Sequence, residues 1–343
     1  MPTKRGLLRL ILTGLCVACL ADGAAAQQQQ RVRFILDWAF QGHQAPFTLS
    51  VDDGTFSKLG LNVSVDRGVG SGDTVAKVAS GSYDIGFADV YSMVRFNAQN
   101  PDRKLIGVMM VHDKSALSLA VMKKSGLGKP ADLNGKRIAS PVGDASRQLF
   151  PLFASVNNID QGKLNWINIS PELREPMLIR GEADAITGHL TTILMNLRGL
   201  NVPESDVTMM PYSDFGVPLY GHVLIVTPAF AQQNPETVRK FITGVVHGFN
   251  VMFRDPKAAV ASVKKRDPLL KDDVELARIE LSNKAMFQTP NVKANGMSSV
   301  DKARLGQSLE QVSKAFELKE VPKVEEVYVE TYLPSKEDLK VTF

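Results

Sequence analysis

Apolar residues recur along this chain in two alternating rhythms. Short β-branched runs predict strands over 32–36, 62–65 and 84–88, and stretches with a period of three to four predict helices between them. The first helix follows a loop over 37–44 and runs through Phe56, ending at Leu59-Gly60, where glycine suits the C-terminal cap. A Gly-rich loop over 68–73 leads into a helix over 74–80 with Val75, Val78 and Ala79 on one face, and Gly81 stops it. The same order then returns: strand 137–140, helix 144–157, strand 166–169, helix 172–180, strand 185–187. Strands alternating with short helices imply parallel α/β units.

The return is visible in the letters as well. GSYDIGFADVYSMVRF from Gly81 aligns with GEADAITGHLTTILMN from Gly181, matching Gly81 to Gly181 and Asp84 to Asp184. Asp89, Tyr91 and Ser92 then fall opposite His189, Thr191 and Thr192. A strand over 117–122 carries the chain across, and one over 219–226 brings it back. Asn234-Pro235-Glu236 next opens a helix, with an N-cap residue followed by proline in the first turn. Val238, Phe241, Ile242, Val245, Val246, Phe249, Met252 and Phe253 mark its core-facing stripe, and Asp255-Pro256 ends it. The expectation is two similar lobes, one of 31–118 plus 220–343 and one of 119–219.

The N-terminus changes the picture by setting a compartment. Lys4, Arg5 and Arg9 precede a short apolar run to Leu20, and Ala24-Ala25-Ala26 precedes Gln27, the layout of a secretory signal peptide over 1–26. Both cysteines, Cys16 and Cys19, fall inside it, so the exported chain is expected to lack a disulfide, a Cys-bound metal and a thiol nucleophile. A lipid anchor at Cys19 is the alternative. A net charge of +4 over 343 residues gives no argument for nucleic acid. No Gly-x-Ser-x-Gly elbow occurs, and His43, His112, His189, His222 and His247 show no metal-type i, i+4 spacing. Neither a catalytic residue, a metal nor a cofactor is therefore expected, and the histidines read as mostly structural.

Three segments resemble a known family. LDWAFQGHQAPFTLSVDDGTFSKLGLNV (36–63), GVGSGDTVAKVASGSYDIGFAD (68–89) and GEADAITGHL (181–190) are similar to the pyrimidine-precursor-binding proteins related to fungal thiamine pyrimidine synthase. The broader group holds the sulfonate-, taurine- and nitrate-binding proteins of ABC importers. The resemblance implies a two-lobed α/β periplasmic-binding-protein fold of type II, with the ligand between the lobes. It also implies a monomeric periplasmic receptor that serves an ABC permease and ATPase. Two departures stand out: Gln-Gly-His replaces the more usual Asn before His43, and the Cys-rich iron-binding segment of the fungal enzymes has no counterpart after Ala26.

Ligands of open α/β sheets sit beyond the carboxyl ends of strands, which nominates the residues just after each strand. After the first come Asp37, Trp38 and His43; Trp38 suits stacking on a flat ring, and His43 suits a ring nitrogen. Gly70 and Ser71 of the Gly-rich loop offer amides at a helix start, or simply a capped turn. Asp89, Tyr91 and Ser92 end a strand, with His189 as their second-lobe counterpart. Ser115 precedes the crossover strand, and Asp144, Ser146 and Arg147 open the first helix of the second lobe. Glu182 and Asp184 read instead as a solvated turn. The set favours a small polar heteroaromatic ligand such as a thiamine-pyrimidine precursor. A sulfonate or an aromatic carboxylate is the alternative ligand, and a pyrimidine synthase-like enzyme or a receptor feeding a membrane sensor the alternative function.

Overall fold

The computed structural model describes residues 29–343, so the signal segment with Cys16 and Cys19 lies outside the described residues. Two five-stranded sheets carry the chain. β1 (Gln30–Ile35), β2 (Leu61–Asp66), β3 (Ile85–Asp89) and β4 (Ile106–Met110) belong to the first. β5 (Leu117–Met122), β6 (Arg137–Ser140), β7 (Asn165–Asn168), β8 (Ala185–His189) and β9 (Val207–Pro211) make the second, and β10 (His222–Val226) returns to the first. The strand orders are β2-β1-β3-β10-β4 and β7-β6-β8-β5-β9. In each sheet the strand arriving from the other lobe is inserted antiparallel: β10 between β3 and β4, β5 between β8 and β9. This is the two-lobed α/β fold that the sequence implies. β5 begins at Leu117, so Leu117 and Ser118 stand in the second sheet rather than the first.

Several local expectations change. The first helix, expected to run through Phe56, is two, Ala45–Asp52 and Thr55–Lys58, broken at Gly54 with φ of 77°. The helix after the Gly-rich loop starts at Ser71 rather than Thr74, because Ser71, Gly72 and Asp73 form its first turn. β10 starts at His222, not at 219. The helix predicted over 144–157 is two, Ala145–Gln148 and Phe150–Val156, broken beside Pro151. β4 and β9, which are not among the predicted strands, complete the sheets.

Packing follows the stripes. In helix Pro235–Arg254 the residues from Val238 to Met252 at steps of three and four are buried. Gly248 lies so close to Pro46 that a Cβ there would sit 2.0 Å from the Pro46 carbonyl oxygen, which lets this helix cross helix Ala45–Asp52 at close range. Phe34, Phe47, Phe87, Phe241 and Phe249 fill the first-lobe core. Another cluster runs across the lobes, joining Val75, Tyr91 and Met93 to Phe150, Phe153 and the tail residues Leu305, Leu309 and Val312. The lobes are therefore packed together, in a closed form.

The internal repeat has a structural basis. Arg33 pairs with both oxygens of Asp84 (3.2 and 2.6 Å) and donates to the Gly81 carbonyl at 2.9 Å. Arg137 does the same with Asp184 (3.2 and 2.8 Å) and the Gly181 carbonyl at 2.8 Å. In both lobes the carboxylate also accepts the arginine's own backbone N–H at 2.8 Å. Each unit ties a strand residue to the turn before that strand's parallel neighbour.

Candidate functional site

The chain leaves β1 through a loop that the Gly-rich segment holds down. Gly70 donates its N–H to the Asp37 carbonyl at 2.7 Å, and Gly68 donates to that of Trp38 at 3.0 Å. Gly70 has φ of 138°, and a Cβ there would lie 2.5 Å from the carbonyl oxygen of Gly143 in the second lobe. Gly72 donates to that same oxygen at 3.0 Å, so backbone meets backbone across the cleft.

Behind this contact lies an enclosed polar floor. His222 Nε2 is 2.8 Å from Asp37 Oδ2 and 3.3 Å from Ser71 Oγ, while Gln44 donates to Asp37 Oδ1 at 3.1 Å. Burial pushes the Asp37 carboxyl up, but the neighbouring histidines, His222 foremost, together hold the group below its ordinary value. His222 answers in kind: burial lowers it and Asp37 raises it, with a net rise, so the two behave as an ion pair. The rings of His112 and His189 crowd His222, with centroids 4.9 and 4.8 Å from it. Burial drives both well below the usual imidazole range, and it takes His43 to about 3, so these three are neutral.

Four nitrogens of the three crowded rings have no hydrogen-bond partner among the described residues: Nδ1 and Nε2 of His112, Nε2 of His189 and Nδ1 of His222. A buried polar atom left in that state costs about 1–3 kcal/mol. The cavity they help line measures about 20 Å³, room for one water-sized guest. A wider opening of about 380 Å³ shares Trp38 and Gln41 with it and is bounded by Phe40, Pro176, Leu269 and Arg278.

The cleft's cationic wall is already neutralised. Arg174, only 1% exposed, pairs with Glu175 at 2.8 Å and Asp144 at 3.3 Å, and its head lies 5.0 Å from the centre of the Trp38 ring. Burial raises the Asp144 carboxyl despite Arg174. Arg278 and Glu275 form a second buried pair at 2.9 Å.

Of the residues nominated from sequence, Asp37, Trp38, His43, Gly70, Ser71, Asp144 and His189 line the inner cavity. The others do not. Asp89 caps helix Val90–Gln99 by accepting from the N–H groups of Tyr91 and Ser92, and burial raises it to about 6. Tyr91 is packed in the inter-lobe core, its hydroxyl accepting from the Tyr220 N–H at 3.3 Å. Ser92 is buried behind it. Ser115 accepts the Leu117 N–H within the crossover. Ser146 bonds back to the capping Asp144, and Arg147 reaches the Ser140 carbonyl at 2.8 Å and stacks over Trp166. Asp184 is the strand tie described above.

Several cavity residues were not nominated: Gln41, Gln44, Phe87, His112, Arg174, Thr192 and His222. The histidines carry no spacing signal because the fold, not the chain, gathers them. Arg174 stands in a helix that the sequence predicts, but nothing in its neighbourhood marks it as inward.

Two antiparallel-inserted sheets on either side of a polar cleft define the two-lobed periplasmic-binding-protein fold. Residues 41–259 match the NMT1/THI5-like family model, and the chain belongs to that family. Over 257 residues it is 22% identical to a formylaminopyrimidine-binding protein of Halalkalibacterium halodurans, covering 74% of this chain and 76% of that one. Over 249 residues it is 23% identical to a 4-amino-5-hydroxymethyl-2-methylpyrimidine phosphate synthase of Aspergillus parasiticus, covering 70% and 72%. The periplasmic aliphatic sulphonate binding protein SsuA from Escherichia coli shares the fold, with a TM-score of 0.66 at 13% identity over 87% of this chain and 92% of that one. Relatives named for binding and for synthesis thus stand side by side. Among the described residues no helix is long and apolar enough to cross a membrane.

Proposed function

We propose that this protein is the periplasmic receptor of an ABC importer, capturing a neutral or cationic nitrogen heteroaromatic such as a thiamine-pyrimidine precursor. The observation that carries the ligand class is the charge at the cleft floor. Asp37 is held ionised beside His222, and the nearest arginine is spent on Glu175 and Asp144. The Asp37 carboxylate keeps lone pairs for an amino-pyrimidine edge beside its bonds to His222 and Gln44, and the arginine on the cavity wall is not free to hold a sulfonate. Trp38, 9% exposed where the inner and outer cavities meet, offers its ring for stacking. The inner cavity is too small for a ring, so capture requires the lobes to part and close again. A binding role rather than synthesis is supported by the cysteines, which both stand before the expected cleavage site.

Thermal melting of the exported chain with formylaminopyrimidine, hydroxymethylpyrimidine, taurine and an alkanesulfonate tests this. A pyrimidine at about 100 times its Kd adds roughly 2.7 kcal/mol of apparent stability. Trp38→Ala, by loss of a central stacking anchor, is expected to weaken that ligand by about 2 kcal/mol, some thirtyfold. The ligand is recovered chemically unchanged. A melt raised by sulfonates alone sinks the ligand class, and turnover of the pyrimidine sinks the receptor.

A further inference from the structure

We propose that His112, His189 and His222 form a binding site for a divalent transition-metal ion of the zinc type. One ring nitrogen from each lies within 4.8 Å of the others. Three nitrogens bound 2.0–2.1 Å from one ion stand roughly 3.4 Å apart, so side-chain shifts of about 1 Å assemble the site.

The surroundings have the other parts of such a site. His222 holds Asp37 through Nε2 at 2.8 Å, so an ion would bind at Nδ1, unpartnered among the described residues, by displacing the proton that the ion pair places there. A carboxylate behind a ligating histidine fixes the ring and strengthens it as a donor. His189 and His112 likewise present nitrogens with no partner among the described residues. All three side chains line the cavity of about 20 Å³, which admits an ion or one water and excludes an organic ring. The other ionisable groups on its wall are Asp37, Asp144, His43 and Arg174, the last paired with Glu175 and Asp144. Imidazole donors select zinc, cobalt, nickel or copper over magnesium or calcium.

The placement gives the ion a mechanical consequence. His112 lies between β4 and β5, His222 opens β10, and His189 ends β8 in the second lobe. An ion held by all three pins the lobes shut, and three protein donors leave a fourth position for water or a donor atom of a captured ligand. The site does not depend on which organic ligand the receptor carries.

The test is titration of chelator-treated exported chain with Zn²⁺ and Co²⁺, by calorimetry and by the visible absorption of four-coordinate Co²⁺. One ion per chain is expected, with at least tenfold weaker binding in His112→Ala and His189→Gln and no change in His247→Ala, whose ring pairs with Asp53 on the surface. Melting without metal shows that each variant is folded, and wild-type Co²⁺ absorption tests the site without any variant. Absence of stoichiometric binding by the wild type, or binding unchanged in His189→Gln, overturns the proposal. A pyrimidine-induced melt shift that survives chelator in that case leaves the receptor reading standing and removes the metal alone.

Discussion

Arg278→Ala is expected to open this protein rather than unfold it. Arg278 is 2% exposed on helix Asp272–Ser282, and its head makes five hydrogen bonds. Two go to Glu275 (2.9 and 3.0 Å), and three reach the second lobe: the Thr191 carbonyl at 3.1 Å, the Thr192 carbonyl at 3.3 Å and Asn196 Oδ1 at 3.0 Å. Glu275 in turn accepts the Gly42 N–H at 2.6 Å, tying the same helix to the first-lobe loop. Truncation strands Glu275 as a buried charge with Gly42 as its remaining donor, a loss of about 3–5 kcal/mol for one half of a buried pair. Separation of the lobes re-wets Glu275 and the three acceptors, so the cost falls on the closed form. Even 3 kcal/mol moves the open–closed balance more than a hundredfold. Small-angle scattering of the unliganded variant should then show a larger radius of gyration than wild type. Joining Arg278→Met to Glu275→Leu removes both charges and is expected to recover most of the closure, since an apolar pair replaces a buried ion pair at little cost. An unchanged radius together with less than about 0.5 kcal/mol of lost stability in Arg278→Ala would refute the latch, as would a double variant more open than the single.

Gly70→Ala places a Cβ 2.5 Å from the Gly143 carbonyl oxygen at a φ of 138°, so each lobe should fold while closure is blocked. Ligand affinity measured by calorimetry should fall at least tenfold, about 1.4 kcal/mol, and an unchanged affinity would place the lobe contact elsewhere. Asp184, held below its ordinary carboxyl value chiefly by the Arg137 side-chain hydrogen bond, contributes stability at pH above about 4 that is lost as pH falls through its depressed folded value. Asp184→Asn should therefore lower stability at neutral pH and flatten the acid limb of a denaturation series, and an acid limb identical to wild type would show the tie to be without weight.

The fold was legible where a local rule and the tertiary structure agree. β6 and β5 occupy the spans their apolar runs mark, because both are buried central strands with little else for those residues to do. The Gly81–Asp84 and Gly181–Asp184 match marks the same arginine–aspartate tie in each lobe. What failed did so for equally local reasons. Ser71 and Asp73 read as loop beside three glycines, yet the loop ends at Gly70, whose φ of 138° makes the turn, and the helix takes Gly72 with its neighbours. Tyr91 follows a strand end, as a cleft residue does, but helix Val90–Gln99 turns it onto the inter-lobe core, where burial raises its phenol well above the ordinary range.

The cleft histidines show which part of such a site a sequence hides. Searching beyond the carboxyl ends of parallel strands finds Trp38, His43 and His189, because β1 and β8 run in the direction the rule assumes. β10 runs the other way between β3 and β4, so His222, its first residue, pairs with Asp89, the last residue of β3, and sits at the same edge. His112 arrives there two residues beyond β4, a strand not among those predicted although 105–111 is an apolar run. Spacing along the chain is blind to a set collected from one forward strand, one reversed strand and one crossover. The same inversion joins both crossovers to the cleft, since each lobe's inserted strand starts at the edge where the other lobe's chain leaves. A residue that opens a returning strand is thus placed to sense closure and to touch what the closure encloses, and His222 does both through Asp37 on one side and the unpartnered face of its ring on the other.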